Sequence, residues 1–542
     1  MTKTLCLALL LAATAHALAA DDTTRNTDTD CTPQAKSADS EETQALADLQ
    51  QRAAAGDATA QFEFGVLYYY GQGVAQDYGQ ARAWWEKAAA QGHADAQYIL
   101  GILYDEGRGV VQDYAQARVW YEKAAAQGHT YAQYDLGLLY GKGQGVAQDY
   151  AQARAWWEKA AAQGHADAQY DLGLLYGKGL GVAQDHAQAR AWWEKAATQG
   201  HAKAQFNLGL LYGKGQGVAQ DYGQARVWWE KAAAQDDAKA QYALGVLYDN
   251  GHGVAQDYGQ ARAWWEKAAA QGHAQAQYNL GVLYAKGKGV TQDYTKAAAW
   301  YEKAAVQGHA NAQNSLGVLY DNGHGVAQDY GQARAWWEKA ATQGNADAQH
   351  DLGLLYGKGQ GVAQDYAQAR AWWEKAAVQG NADAQYNLGV LYAEGQGVAQ
   401  DYAQARAWWE KAAAQGYAAA QYNLGALYEN GQGITQDYDK ARTWYEKAAA
   451  QGHAKAQYNL GLLYAKGQGV AQDYGQARVW WEKAAAQGDA KAQYALGVLY
   501  DNGKGVPKNN AQARVWWEKA AAQTDDKEAQ QAAQLALQKI SQ

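Results

Sequence analysis

The stretch YGKGQGVAQDYAQARAWWEKAAAQGHADAQYDLGLLYGKG, from Tyr140 to Gly179, ends on the four residues with which it begins. Its LGxxY segment recurs along the chain, and the glycine of that segment repeats every 36 residues from Gly65 to Gly497. Thirteen copies therefore fill residues 57–524 without an insertion. A period of this length predicts a solenoid, because one short unit can bury its apolar face only against its neighbours.

Each copy contains two helical patterns. Between Asp77 and Ala90, apolar residues fall at positions i, i+3, i+4, i+7 and i+8, which form one face of a helix. Asp77 can cap this tryptophan helix, and Gly92 can end it. A glycine helix, which carries the LGxxY segment, is expected from about Ala94 to Tyr104. The chain is therefore predicted to be all-α, an α/α superhelical solenoid of about thirteen helical hairpins of 36 residues.

All 23 tryptophans fall in the tryptophan helices, as ten WW pairs and three WY pairs. Burying one indole stabilises the fold by roughly 4–6 kcal/mol at most. A glycine inside the facing helix, such as Gly101, costs about 1 kcal/mol relative to alanine. Because close approach of an indole to bare backbone would offset that cost, the tryptophan row and the glycine row are predicted to form one repeated contact.

The first residues have the pattern of a secretory signal peptide. Lys3 precedes an apolar run from Leu5 to Leu11, and the ALA sequence at 17–19 supplies small residues for cleavage. We therefore expect a signal peptide at 1–19 and an exported chain, in the periplasm, outside the cell or at its surface. No later apolar segment has the length of a membrane span, so no integral membrane segment is expected after cleavage; peripheral association with the envelope stays open.

Three further segments flank the repeats. Residues 20–40 are an acidic leader that we expect to be disordered, residues 41–56 are expected to form an N-terminal capping helix, and residues 525–542 a C-terminal capping helix. Cys6 would leave with the signal peptide and Cys31 would stand alone, so no intrachain disulfide is expected.

The phrases AQYDLGLLYGKGQGV and DYAQARAWWEKAAAQGHADAQ resemble the Sel-one-like repeat (SLR) family, a relative of the tetratricopeptide-repeat (TPR) proteins. The resemblance covers all thirteen copies. The period differs from the 34 residues of TPR proteins, and Gln97 stands where that family carries its tryptophan. The resemblance implies a scaffold that assembles other proteins, in envelope, secretion, quality-control or host-interaction settings.

The sequence offers little for catalysis or nucleic-acid binding. None of its four serines lies in a G-x-S-x-G or S-x-x-K arrangement, and its net charge of −9 comes without a basic block. Seven histidines follow QG at one position of the copy, where other copies carry Asp or Asn. Since those residue types share helix N-capping, we expect caps rather than metal ligands. The predictions are no enzyme, no cofactor, no metal and no nucleic-acid partner.

Differences among the copies concentrate on one face of the glycine helix, which lines the concave groove in related superhelices. Tyrosine, asparagine and aspartate on a rigid surface suit binding of a protein or peptide, although neutral drift on a solvated face is the alternative. The candidate binding residues are Tyr98, Asp105, Tyr134, Asp135, Tyr170, Asp171, Asn207, Tyr278, Asn279, Asn387, Asn423 and Asn459.

Two other functions are considered. Rows of aromatic residues can stack on sugar rings, which would make the chain a glycan-binding protein if some rings are exposed. A β-lactamase-like hydrolase follows from analogy with cysteine-rich SLR relatives, but those have two cysteines per unit and this array has none. If the array expanded by chance, the function of the protein would not require thirteen repeats.

Overall fold

The computed structural model describes residues 38–540, and within that range every regular element is an α-helix. The residues form two compact units, one ending at Gln271 and the other beginning at Gly272. Each unit is a stack of helical hairpins, which confirms the predicted all-α solenoid of 36-residue repeats. The predicted signal peptide, most of the acidic leader and Cys31 lie outside the described residues.

Thirteen glycine helices open the repeats, which we number 1 to 13 in chain order. Their bounds are Ala58–Tyr70, Ala94–Glu106, Thr130–Lys142, Ala166–Lys178, Ala202–Lys214, Ala238–Asn250, Ala274–Lys286, Ala310–Asn322, Ala346–Lys358, Ala382–Glu394, Ala418–Asn430, Ala454–Lys466 and Ala490–Asn502.

Each glycine helix is followed by the tryptophan helix of the same repeat. These helices span Tyr78–Ala90, Tyr114–Ala126, Tyr150–Ala162, His186–Thr198, Tyr222–Ala233, Tyr258–Ala270, Tyr294–Val306, Tyr330–Thr342, Tyr366–Val378, Tyr402–Ala414, Tyr438–Ala450, Tyr474–Ala486 and Asn510–Ala522. Two helices flank the repeats, Ala38–Ala54 before repeat 1 and Lys527–Ile540 after repeat 13. The first of them begins within the segment that the sequence assigned to the leader.

Local sequence explains where these helices begin and end. The Asp149 carboxylate accepts hydrogen bonds from the amides of Ala151 and Gln152, so it caps the tryptophan helix of repeat 3 as predicted for this position. The preceding glycine helix ends at Gly143, whose φ of 71° is a left-handed conformation that glycine adopts without a side-chain clash. The same signals recur in successive repeats because the sequence recurs.

The core of each repeat surrounds the second aromatic residue of the pair. Trp157 is 6% exposed and packs with Ala153 and Leu172. A Cβ on Gly137 would overlap its indole ring, and its Nε1 donates to the Tyr134 carbonyl at 3.1 Å. The predicted contact between glycine and tryptophan is therefore present in this repeat.

The contact does not involve every tryptophan, which corrects the prediction. In the WY repeats the tyrosine takes the buried place, as Tyr121 does over Gly101. The first residue of each pair is half-buried: Trp156 packs on the cluster that contains Tyr121 of the preceding repeat. The two rings differ because only one of the adjacent positions faces the glycine of the partner helix.

Buried glutamines join successive repeats. The side-chain amide of Gln133 donates to the Ala125 carbonyl of the preceding tryptophan helix at 3.2 Å, and its Oε1 accepts from Gln163 at 2.8 Å. Gln97 makes the equivalent bonds, to the Ala89 carbonyl and from Gln127. The glutamine that replaces the TPR tryptophan therefore ties each glycine helix to its neighbours.

Candidate protein-interaction surface

The twelve predicted binding residues all lie on glycine helices. We call the half-buried side chains of those helices the glycine-helix surface; it includes Asp135, Leu138 and their counterparts in other repeats. Eleven of the twelve candidates are half-buried, whereas Tyr98 is only 5% exposed. Tyr98 therefore contributes its hydroxyl to the structure of the surface and little area to a partner.

Hydrogen bonds link several candidates in adjacent repeats. The Tyr98 hydroxyl donates to Asp135 Oδ2 at 3.0 Å, and the Tyr134 hydroxyl donates to Asp171 Oδ2 at 3.1 Å. In both pairs the acceptor lies 37 residues after the donor, which is one repeat and one residue. These bonds form a ladder that holds the tyrosine rings and carboxylates in fixed positions along repeats 2 to 4.

Burial changes the ionisation of the carboxylates in this ladder. It raises the pKa of Asp135 to about 7, although the hydroxyl of Tyr98 acts in the opposite direction. Burial likewise raises the pKa of Asp171 to about 6, against the bond from Tyr134. Asp105, which accepts from Tyr121 at 3.1 Å, also has a pKa above its ordinary value because of burial. The pKa values of Asp135 and Asp171 therefore lie closer to neutral pH than that of an ordinary aspartate.

At the position of Asp135 and Asp171, most repeats of the C-terminal unit carry asparagine. Asn279 accepts from Gln275 at 3.2 Å, and Asn459 donates to the Tyr445 hydroxyl at 3.0 Å. Asn387 lies 3.1 Å from the ring Nε2 of His350. Asn423 occupies the same half-buried position, as Asn207 does in the N-terminal unit. In each unit the aspartates and asparagines at this position form one row along the glycine helices. Tyr170 and Tyr278 lie beside that row.

The repeated histidines cap glycine helices. His129 Nδ1 accepts from the Ala132 amide at 3.1 Å, and His165 Nδ1 accepts from the Ala168 amide at 3.3 Å. Asn345 makes the same bond in repeat 9, as the sequence comparison predicted. Among residues 38–540, no three His, Cys, Asp or Glu side chains are grouped as a metal site would require.

The repeated sequence matches a known family model in thirteen consecutive segments. The model describes the Sel1 repeat, and the segments cover 58–93, 94–129, 130–165, 166–201, 202–237, 238–273, 274–309, 310–345, 346–381, 382–417, 418–453, 454–489 and 490–525. The chain belongs to the Sel1 repeat family. Proteins of this family are typically scaffolds for protein–protein interaction.

Two solved Sel1-type structures are similar to this chain. One is a protective antigen present in uropathogenic Escherichia coli strains that displays an SLR fold; it is 39% identical, covers 78% of this chain and 94% of its own, and has a TM-score of 0.68. The other is a Sel1 repeat protein from Oxalobacter formigenes, 36% identical, covering 62% of this chain and 99% of its own, with a TM-score of 0.50. No curated protein matches this chain.

A lysine covers the first tryptophan of each Sel1 repeat. In all thirteen repeats a Lys Nζ lies over that indole, for example Lys159 at 3.7 Å from the Trp156 ring. The ammonium interacts with the ring by a cation–π contact. Since the ring also packs on the preceding repeat, few indole faces remain for stacking on a sugar.

No described helix has the length and apolar character of a membrane span.

The sequence carries a signal for the ladder in a spacing that extends across two repeats. Tyrosine in one Sel1 repeat and Asp or Asn 37 residues later recur together, as at Tyr98 and Asp135. The spacing exceeds one period, so a single copy contains only one residue of each bonded pair.

Proposed function

We propose that this Sel1-repeat protein is an exported, non-enzymatic scaffold that binds a protein or peptide partner through the glycine-helix surface. The observation that carries the proposal is the row of half-buried tyrosine, aspartate and asparagine side chains held by the ladder. Such groups offer aromatic area and hydrogen bonds, and their positions are already ordered before binding. A partner would then lose entropy of its own, while the scaffold loses little.

Repetition of the row favours an extended partner over a small substrate. Each repeat adds one similar set of contacts, and contacts made along one chain combine through their high effective concentration. A peptide or protein surface can meet several repeats at once, whereas a small molecule meets one. Assembly within the envelope and interaction with a host are the settings that this proposal includes.

Export is part of the proposal and rests on the sequence. The basic start, the apolar run from Leu5 to Leu11 and the small residues at 17–19 have the order of a signal peptide. One similar protein is described as a protective antigen present in uropathogenic Escherichia coli strains. Fractionation of cells that express the full chain tests this part: unprocessed protein found only in the cytoplasm would contradict it.

The binding proposal is tested by affinity capture with cross-linking from envelope and culture fractions. One variant places three arginines on the glycine-helix surface: Asn279→Arg, Asn387→Arg and Asn423→Arg. The matched control places three arginines at exposed alanines of tryptophan helices: Ala335→Arg, Ala371→Arg and Ala407→Arg. We expect the first variant to lose a partner that the control retains. Equal capture by both variants would contradict binding through this surface.

A further inference from the structure

Two junctions between repeats carry a pair of aspartates on the glycine helices. One pair is Asp105 and Asp135, at the junction of repeats 2 and 3, and the other is Asp321 and Asp351, at the junction of repeats 8 and 9. The two pairs occupy equivalent positions of the repeat. At every other junction between repeats, at least one of these positions carries an uncharged residue.

Tyrosine hydroxyls satisfy the first pair. Tyr121 donates to Asp105 at 3.1 Å, and Tyr98 donates to Asp135 at 3.0 Å. Each carboxylate of this pair therefore has a hydrogen-bond donor from within the array.

Both tyrosine donors are replaced at the second pair. Trp337 stands in the place of Tyr121, and Asn314 stands in the place of Tyr98. The Trp337 indole donates its Nε1 proton to the Asn314 carbonyl, at 3.2 Å. The second pair therefore receives no hydroxyl donor from these two positions.

The carboxylates of the second pair keep acceptor positions for a ligand. Asp351 Oδ1 lies 3.1 Å from Nδ1 of His350, and a carboxylate has several further positions that can accept. Burial and the charge of Asp351 raise the pKa of Asp321, while the charge of Lys358 lowers it. Among the described residues, no hydrogen bond to the Asp321 carboxylate adds to these effects. A cation with N–H donors would therefore satisfy both carboxylates and relieve their repulsion.

A pocket of about 150 Å³ lies at this junction and is open to solvent on one side. Its lining is mostly polar and includes Asp321, Asn322, Asp351, Lys358 and Gln360, together with the indole of Trp337. The two carboxylates outnumber the single ammonium group, so the lining carries a net negative charge. This charge favours a cationic ligand.

The arrangement of the acceptors favours a guanidinium group over an ammonium group. A guanidinium has five N–H donors in one plane, so it can donate to two carboxylates on neighbouring helices at the same time. It is also more weakly hydrated than an ammonium and packs readily against an aromatic ring, such as the Trp337 indole in this lining. A lysine ammonium is a compact charge that uses neither property.

We propose that this pocket binds the guanidinium group of an arginine from the partner. The group would donate to Asp321 and Asp351 and pack against Trp337. Because the pocket opens to solvent, the side chain could enter from a partner backbone that lies along the glycine-helix surface. The inference rests on the proposed function for the source of the arginine, while the guanidinium pocket itself is a property of repeats 8 and 9.

The test measures ligand binding to the full chain by ligand-observed NMR, without any protein partner. The probes are N-acetyl-L-argininamide, N-acetyl-L-lysinamide and N-acetyl-L-citrullinamide, in which a neutral urea group replaces the guanidinium. We expect the arginine derivative to bind, and the citrulline derivative to bind at least tenfold more weakly because it carries no charge. Equal binding of the lysine or citrulline derivative would overturn the guanidinium assignment, and absence of binding by the arginine derivative would overturn the pocket.

A fourth probe separates an arginine side chain from a free guanidinium compound. Methylguanidinium should bind to the same pocket, and N-acetyl-L-argininamide should displace it. Methylguanidinium binding without such displacement would overturn the assignment to an arginine side chain.

Variants of the two carboxylates locate the binding. Asp321→Asn and Asp351→Asn should each weaken binding of N-acetyl-L-argininamide at least tenfold; asparagine already occupies the position of Asp351 in other repeats, as at Asn387. The matched control is Glu302→Gln, which removes one exposed carboxylate from the tryptophan helix of repeat 7 and should retain binding. Circular dichroism and thermal melting establish that all three variants fold. Binding by the two folded aspartate variants equal to wild type, or an equal loss in the control, would overturn the proposal, even where partner capture by the glycine-helix surface succeeds.

Discussion

Gly137 lies directly against the indole of Trp157, on the facing helix of the same repeat. A Cβ at Gly137 would overlap ring atoms Cδ1 and Nε1, and Nε1 donates to the carbonyl of Tyr134 at 3.1 Å. The ten WW repeats all have this tryptophan–carbonyl bond, at 3.0 to 3.2 Å. The absence of a side chain at the glycine is therefore what lets the two helices approach.

Replacement of Gly137 by alanine should destabilise repeat 3. In an exposed helix the change would stabilise by about 1 kcal/mol, but here the added methyl group overpacks the core and should cost about 1–3 kcal/mol. Hydrogen exchange of the amides in 130–165 measures the local loss, because repeats open in local units. A fall in the free energy of unfolding would indicate overpacking, whereas a rise would indicate that helix propensity dominates.

Gly223→Ala is the matched control for this substitution. Gly223 lies in the first turn of a tryptophan helix, and alanine already occupies the equivalent position at Ala151. We expect a small stabilisation of about 0.5 kcal/mol. Stabilisation by both changes would show that the contact between Gly137 and Trp157 does not limit the packing.

Much of the fold was predictable because its determinants are local and repeated. The period, the helices and the caps at Asp77 and His93 depend on residues a few positions apart. It was harder to predict which tryptophan of each pair is buried, because Trp84 and Trp85 are adjacent and equally apolar. Their burial differs through contacts from other elements: the facing Gly65 admits Trp85, and Lys87 covers Trp84.

The candidate surface was predictable as a row but not as a ladder. Periodicity placed Tyr134 and Asp135 on the glycine helix, and the structure has them there. Their partners lie in adjacent repeats, at distances that depend on how the repeats stack.

Acid should weaken the repeat junctions through the capping histidines. Burial lowers the pKa of His93, His165, His309 and His453, so the unfolded chain binds protons more readily than the folded chain below pH 6.5. Stability from these caps is present above the unfolded pKa and is lost as pH falls through the folded pKa. Protonation of Nδ1 also removes the acceptor that caps the helix.

Replacement of these four histidines by asparagine should remove that part of the pH dependence. Asparagine already caps at Asn345 and Asn381, through the amides of Ala348 and Ala384. The measurement is the urea midpoint at pH 7.5 and at pH 5.0 for both proteins. We expect the variant to lose less stability between the two values, and an equal loss would contradict the role assigned to the histidines.

Ionisation of Asp135 should have the opposite effect on the pH dependence of stability. Its folded pKa of about 7 exceeds the ordinary value, so the folded state keeps a proton that the unfolded state releases, and stability from this group falls as pH rises from about 4 to 7. Asp135→Asn should therefore change little at pH 4 and stabilise by about 1–2 kcal/mol at pH 8. Urea midpoints at the two pH values test this, with Asp113→Asn, a change at an exposed cap, as the comparison.

Asp236 marks a strained turn between repeats 5 and 6. Its φ of 60° is left-handed, and the same position in the other repeats is glycine, as at Gly128, except at Thr524 in the last repeat. The bond from Gln241 to the Ala233 carbonyl is 3.5 Å, longer than its counterparts, and the Gln241 amide also reaches Asp236 Oδ1 at 3.4 Å. Asp236→Gly should stabilise by about 0.5–1 kcal/mol by relieving the left-handed strain.

The alanine variant separates backbone strain from charge at this turn. Asp236→Ala removes the carboxylate but keeps a Cβ at positive φ, so it should not stabilise the protein. Hydrogen exchange at the start of the glycine helix Ala238–Asn250 gives the local free energy for both variants and wild type. Protection that increases equally in both variants would assign the effect to the lost charge instead of the backbone. Protection that increases only in Asp236→Gly would show that the left-handed φ angle of residue 236 weakens this junction of the N-terminal unit.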